Sequence, residues 1–274
     1  MSDVTTHDGV TLHVEDSEGT GHPVVLIHGW PLSGESWAHQ TGVLQENGYR
    51  VITYDRRGFG RSDKPQGGFD YDTLAADLAT VLTQLDLQDV TLVGFSMGGG
   101  EVVRHLGTQG SRGVRDIVLA AAVPPYLLQA DDNPDGPLTR DAAAEMRAGL
   151  DQDRDAFFPE FAAGFFTAGD QLAVDQAEVD DAVRLSQQSD QAAALGCMES
   201  FATTDFRADL TAIDVPLLVI HGDSDGTVPF EGSGKRTHES VPGSQLVVIP
   251  GGPHGINASH PEEFNTALLK FLGR

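Results

Sequence analysis

Ser96, in "VGFSMGGG" (residues 93–100), is followed by the acids of "HGDSDG" and the histidine of "PGGPHGIN". Nucleophilic acyl chemistry needs these residue types in some spatial arrangement. A hydroxyl is a poor nucleophile at neutral pH; it needs an imidazole to take its proton and an acid to orient that imidazole. The pattern G-x-S-x-G occurs twice, at 94–98 and 222–226, and being short it carries weight only through context. Ser96 follows a β-branched run and leads into a helical pattern, as a nucleophile elbow requires. Ser224 is followed by "GTVPF", where Gly226 and Pro229 oppose an immediate helix. It would also leave no strand-end acid before the last histidines. Ser96 leaves room for both partners in the order Ser, Asp or Glu, His. The surrounding glycines fit a tight strand–turn–helix with no room for neighbouring Cβ atoms. A flexible linker would also be rich in glycine, but its flanks would not look so ordered.

Ten histidines are available. His254 sits in a glycine- and proline-rich loop after the last apolar run, where it can hang over the end of a sheet, and is the expected base. His260, between Ser259 and Pro261 at a helix start, reads as a surface residue, and His28 in "LIHGW" as a structural imidazole. Asp223 and Asp225 share parity at one strand end; either can reach His254, and the other would be a turn residue bonded to backbone N–H groups. Met97 opens the helix after Ser96, so its N–H points where an oxyanion forms. A second donor should come from the loop after an early strand. Trp30 supplies it, because Pro31 has no N–H. A cis Trp30–Pro31 bond would re-aim the Pro31 carbonyl into the site.

These residues need a scaffold, and the chain alternates apolar runs with helical patterns. "PVVLIHG" (23–29), "YRVITYD" (49–55), "VTLVGFS" (90–96), "VRDIVLAAA" (114–122), "PLLVIHGD" (216–223) and "SQLVVIPG" (244–251) read as buried strands. Leu74, Leu78, Val81, Leu82 and Leu85 fall on one helical face, with Asp72 as its expected N-cap. Ser259 and Glu262 suggest a capping box on the last helix. The alternation predicts an α/β fold: a mostly parallel, doubly wound sheet covered on both faces. It breaks at 124–210, which shows no convincing strand. That segment carries Phe157, Phe158, Phe161, Phe165 and Phe166 at helix-compatible spacing. The expected organisation is a core of 1–123 and 211–274 with a helical lid at 124–210.

Composition narrows the partners. The formal net charge is −24, with 41 acidic and 17 basic residues, which argues against nucleic acid and anionic membrane surfaces. No apolar run reaches membrane-spanning length, and the start has no secretory pattern. Cys197 is the single cysteine, so there is no internal disulfide framework. It reads as a buried helix residue in a cytoplasmic protein. Lysine is scarce against arginine, three to fourteen, and Asp exceeds Glu, 28 to 13; such a surface stays solvated at high salt.

"LIHGWPLSGESW", "YDRRGFGRSDKP", "DVTLVGFSMGGGEVVRHL", "VIHGDSDGTVP" and "PHGI" together resemble the α/β-hydrolase superfamily, in particular its cofactor-free bacterial haloperoxidases, perhydrolases and aryl esterases. The match runs in order from about 24 to 272 and is looser across 124–210. The resemblance implies a triad of Ser96, Asp225 and His254, choosing Asp225 over Asp223. It also implies Trp30 and Met97 as oxyanion donors, and a small apolar acyl pocket at Phe95, Phe158, Phe161 and Val228. It implies no metal, haem or flavin, with several members forming symmetric oligomers. The implied reaction passes an acyl group from a small ester to Ser96 and then to water. Hydrogen peroxide in place of water would give a peracid able to oxidise halide. Carboxylic acids are the other acyl source. Lactonase or carbon–carbon hydrolase activity on the same fold is the alternative reading, and a non-catalytic ligand-binding receptor a weaker one. Ser96 speaks against the dehalogenases and epoxide hydrolases, which carry aspartate at the elbow.

Overall fold

Successive side chains of a strand point to opposite faces, and the apolar runs of this chain fill both. The computed structural model describes residues 2–273. Its strands are Ser2–Thr5 (β1), Thr11–Asp16 (β2), Pro23–Ile27 (β3), Arg50–Tyr54 (β4), Val90–Phe95 (β5), Val114–Ala120 (β6), Thr167–Ala168 (β7), Gln171–Leu172 (β8), Leu217–Gly222 (β9) and Gln245–Ile249 (β10). Eight of them form one sheet in the order β1-β2-β4-β3-β5-β6-β9-β10. The pairs β1–β2 and β2–β4 are antiparallel; every later pair is parallel. The six strands expected from apolar runs are all present.

The helices are Ala38–Glu46 (α1), Tyr71–Gln84 (α2), Met97–Gln109 (α3), Arg140–Gln152 (α4), Arg154–Phe165 (α5), Gln176–Gln187 (α6), Gln191–Thr203 (α7), Arg207–Leu210 (α8), Gly234–Ser240 (α9), Ile256–Ser259 (α10) and Pro261–Leu272 (α11). Val25, Ile27, Leu92, Leu119 and Val219 face one apolar layer with Leu74 and Leu78 of α2 and Val102 and Val103 of α3. Their strand neighbours Val24, Leu26, Val93, Val118 and Leu218 face the other, with Leu44 of α1 and Phe264 and Leu268 of α11. Both faces are therefore covered, which accounts for continuous rather than alternating apolar runs.

Three local expectations are corrected. Asp70, not Asp72, caps α2: its carboxylate accepts the Thr73 N–H at 2.9 Å, while Asp72 lies in the first turn and pairs with Arg104. No capping box starts α11. Ser259 closes α10 and His260 occupies the cap position without a side-chain bond; Pro261 opens the helix, where a missing N–H costs nothing. The segment 124–210 holds α4 to α8 and also the β7–β8 pair, whose strands are too short to leave a periodic signal. No helix among the described residues is long and apolar enough to cross a membrane.

Candidate active site

β5 is buried along its length and ends at Phe95, and α3 begins at Met97. Ser96 makes the turn alone, with φ 53° and ψ −119°, a conformation that costs a non-glycine residue on the order of 1–3 kcal/mol. The surroundings hold it there. Its N–H donates to the Ala120 carbonyl of β6 at 2.8 Å, and its carbonyl accepts from Gly99 N–H at 3.0 Å and Val123 N–H at 3.3 Å. Two of the glycines are required by close approach: a Cβ on Gly94 would lie 2.5 Å from the Gly98 carbonyl oxygen, and one on Gly98 would lie 2.5 Å from that of Ile27.

His254, from the loop after β10, places Nε2 2.9 Å from Ser96 Oγ. Its Nδ1–H donates to Asp225 Oδ2 at 2.7 Å. Asp225, from the loop after β9, receives two backbone bonds on its other oxygen, from Thr227 N–H at 2.9 Å and Val228 N–H at 2.7 Å. Asp223 turns the other way and accepts the Gly251 N–H at 2.7 Å. Burial opposes ionisation of Asp225. The charge and hydrogen bonds of His254 and His221 outweigh it and hold the carboxyl well below its ordinary range.

His221 was not singled out from the sequence. It is fully buried on β9, its Nε2–H reaching the Val228 carbonyl at 2.8 Å and Asp225 Oδ2 at 3.2 Å. Its Nδ1 has no hydrogen-bond partner among the described residues. Strand parity was the available signal, because His221, Asp223 and Asp225 share it. His28 is structural, as expected: Nδ1–H donates to the Gly29 carbonyl at 2.8 Å and Nε2 accepts the Arg56 N–H at 3.0 Å. Burial, with Arg56 beside it, holds its pKa well below the ordinary value. His260 is half-buried beside Ser259 Oγ.

Among the described residues, neither Trp30 N–H nor Met97 N–H donates to another backbone carbonyl. The Trp30–Pro31 bond is cis. Beneath these two donors lies a second charged group that sequence reading missed. Arg56 is fully buried and pairs with Glu101 of α3, its Nε–H donating at 2.5 Å. It also donates to the His28 carbonyl at 2.6 Å. Tyr54 O–H donates to the other Glu101 oxygen at 2.7 Å. Burial weighs against the Arg56 charge, but Glu101 outweighs it and raises the pKa. Burial also draws the Glu101 carboxyl upward, so its charge depends on Arg56. The pair ties the loop carrying Trp30 to the helix carrying Met97. Only the "DRR" triplet in the sequence hinted at it.

Ser96 and His254 open into a cavity of about 580 Å³. Trp30, Phe161 and Val228 line it, with Leu138, Met146 and Phe201 among its further apolar walls. Phe95 and Phe158 do not line it. Phe95 packs behind His254, ring centroids 5.3 Å apart, and Phe158 lies fully buried against Trp30 at 6.2 Å. Helical spacing showed that the phenylalanines share a segment, not which of them face inward. Cys197 is buried in α7, and burial pushes its thiol up to about 12.

A mostly parallel sheet with a serine at the β5–α3 elbow, followed by an acid and a histidine from later strand ends, defines an α/β hydrolase. The chain belongs to that family: the model described as the alpha/beta hydrolase fold matches residues 22–261. It is 40% identical to the non-heme chloroperoxidase CPO-A1 of Kitasatospora aureofaciens, over 98% of each chain. It is 36% identical to the bifunctional esterase/perhydrolase DCH of Acinetobacter calcoaceticus, over 99% of each. The crystal structure of a bromoperoxidase from Bacillus anthracis superposes with a TM-score of 0.97 at 50% identity, covering 100% of this chain and 99% of that one.

Proposed function

We propose that the protein is a serine esterase of small carboxylic esters that also perhydrolyses them, with Ser96, His254 and Asp225 as its triad. The observation carrying this reading is the unbroken line from Asp225 through His254 to Ser96, at 2.7 and 2.9 Å, ending at an apolar cavity. Ser96 Oγ attacks the ester carbonyl while its proton passes to His254 Nε2. The developing oxyanion is met by the Trp30 and Met97 N–H groups. The tetrahedral intermediate collapses, the alkoxide leaves with the proton from His254, and an acyl-serine remains. Water then attacks the acyl carbon and gives its proton to His254; the second tetrahedral intermediate collapses, Ser96 Oγ leaves with that proton from His254, and a carboxylic acid is released. Hydrogen peroxide attacks in the same way and releases a peracid. Asp225 stays ionised throughout and stabilises the imidazolium.

The relatives named chloroperoxidase and esterase/perhydrolase support this double activity. Residues 124–210 serve as the lid, supplying Leu138, Met146, Phe161 and Phe201 to the cavity wall. The single buried cysteine fits a reducing cytoplasm.

The test is Ser96→Ala on short p-nitrophenyl esters, with and without hydrogen peroxide. Both activities should fall together, by at least about a thousand-fold. Retention of either would refute a shared acyl-serine.

A further inference from the structure

The apolar cavity has an unbalanced lining. Apart from His254, its chargeable lining residues are Glu145 of α4 and Glu160 of α5. Both are exposed, and neither forms an ion pair among the described residues. Among the described residues, no lysine or arginine lines the cavity. The arginines of these two helices are engaged elsewhere. Arg147 lies 3.9 Å from Glu199 of α7. Arg154 stacks over the Phe158 ring at 4.8 Å and donates to the Ser189 carbonyl at 2.9 Å. Arg140 borders separate surface hollows.

Resting on the esterase reading above, we propose that Glu145 and Glu160 set the substrate class: uncharged and cationic esters are accepted, and anionic ones are turned away. An anionic substrate approaches two uncompensated carboxylates and finds no guanidinium or ammonium to receive its charge. A cation gains what the anion loses, and a neutral ester is sorted only by the apolar walls. The net charge of −24 adds a long-range field of the same sign. The carboxylate product of hydrolysis is repelled once formed.

The test uses three phenyl acetates differing at one meta position: trimethylammonio, tert-butyl and sulfonate. The readout is the ratio of kcat/KM for the cation to that for the anion, compared between wild type and the Glu145→Gln/Glu160→Gln double variant. Intrinsic leaving-group differences cancel in that comparison. The ratio should fall on the order of ten-fold in the double variant. In wild type, about 1 M salt, where the screening length is about 3 Å, should bring a similar fall, larger than in the double variant, which keeps only the long-range field. The salt arm uses unaltered protein and so stands whatever the substitutions do to folding. A ratio moved less than two-fold by both treatments overturns the proposal. Failure of wild type to turn over the tert-butyl ester, or turnover surviving Ser96→Ala, would bring down the esterase reading instead.

Discussion

Glu101→Gln isolates the worth of the charge pair beneath the elbow. The substitution keeps shape and a carbonyl oxygen for Tyr54 O–H, which donates at 2.7 Å in the wild type. It removes the carboxylate that Arg56 pairs with, and both side chains are fully buried. Removing one member of a buried pair costs about 3–5 kcal/mol, because the survivor is left uncompensated. Arg56 keeps its bond to the His28 carbonyl, so the low end, about 3 kcal/mol, is expected. In a chain of this size that lowers Tm by roughly 6–12 °C. The assay is urea unfolding of wild type, Glu101→Gln, and the double variant Arg56→Met/Glu101→Leu. Removing both charges leaves no isolated ion, so the double variant should lose less than the two single changes summed. At temperatures where Glu101→Gln stays folded, kcat should fall while KM changes little, because the loop bearing Trp30 loses its tie to α3. A stability loss under about 1 kcal/mol would refute an ionised, uncompensated Arg56 in the variant.

Asp225 is held below its ordinary pKa of 3.8. A depressed acid adds stability above that value and loses it as pH falls through the folded-state pKa. His221→Phe removes one of its donors, so stability at neutral pH should drop by about 1 kcal/mol and the acid loss should finish at higher pH. His221→Gln, which keeps an N–H, should restore part of the loss, and an unmoved acid limb of unfolding in His221→Phe would count against the contact. Cys197, buried and with a thiol pushed up to about 12, should resist thiol reagents in the native state and react fully in denaturant. Rapid native labelling with loss of activity would contradict its placement.

The long parallel strands were legible because burial on both faces demands continuous apolar runs, and Ser96 because its flanking glycines answer to backbone contacts only an elbow makes. His254 was legible from chain order and its loop. The choice of Asp225 over Asp223 was not open to residue-level reasoning. Both leave β9 with one parity, and a loop detail decides: Asp223 is taken by the Gly251 N–H, leaving Asp225 for His254. The edge strand β1 and its neighbour β2 escaped notice because "SDVT" and "TLHVED" are short and half polar. Asp70 and Asp72 are both good caps, and a two-residue difference in helix start lies below what periodicity resolves. Arg56 and Glu101 were passed over because a charged pair, 45 residues apart in sequence, announces its burial only once the sheet is assembled.

Reaction and fit are carried by parts of unequal stiffness. The serine, imidazole and carboxylate hang from the ends of β5, β10 and β9, within the sheet core. One wall of the cavity is α4, in which a single residue, Leu150, is buried, where α3 has nine buried residues, three of them glycines. Changes on so lightly anchored a helix cost little, mostly within about 0.5 kcal/mol. Its descendants can therefore drift towards new esters without disturbing the machinery that breaks them.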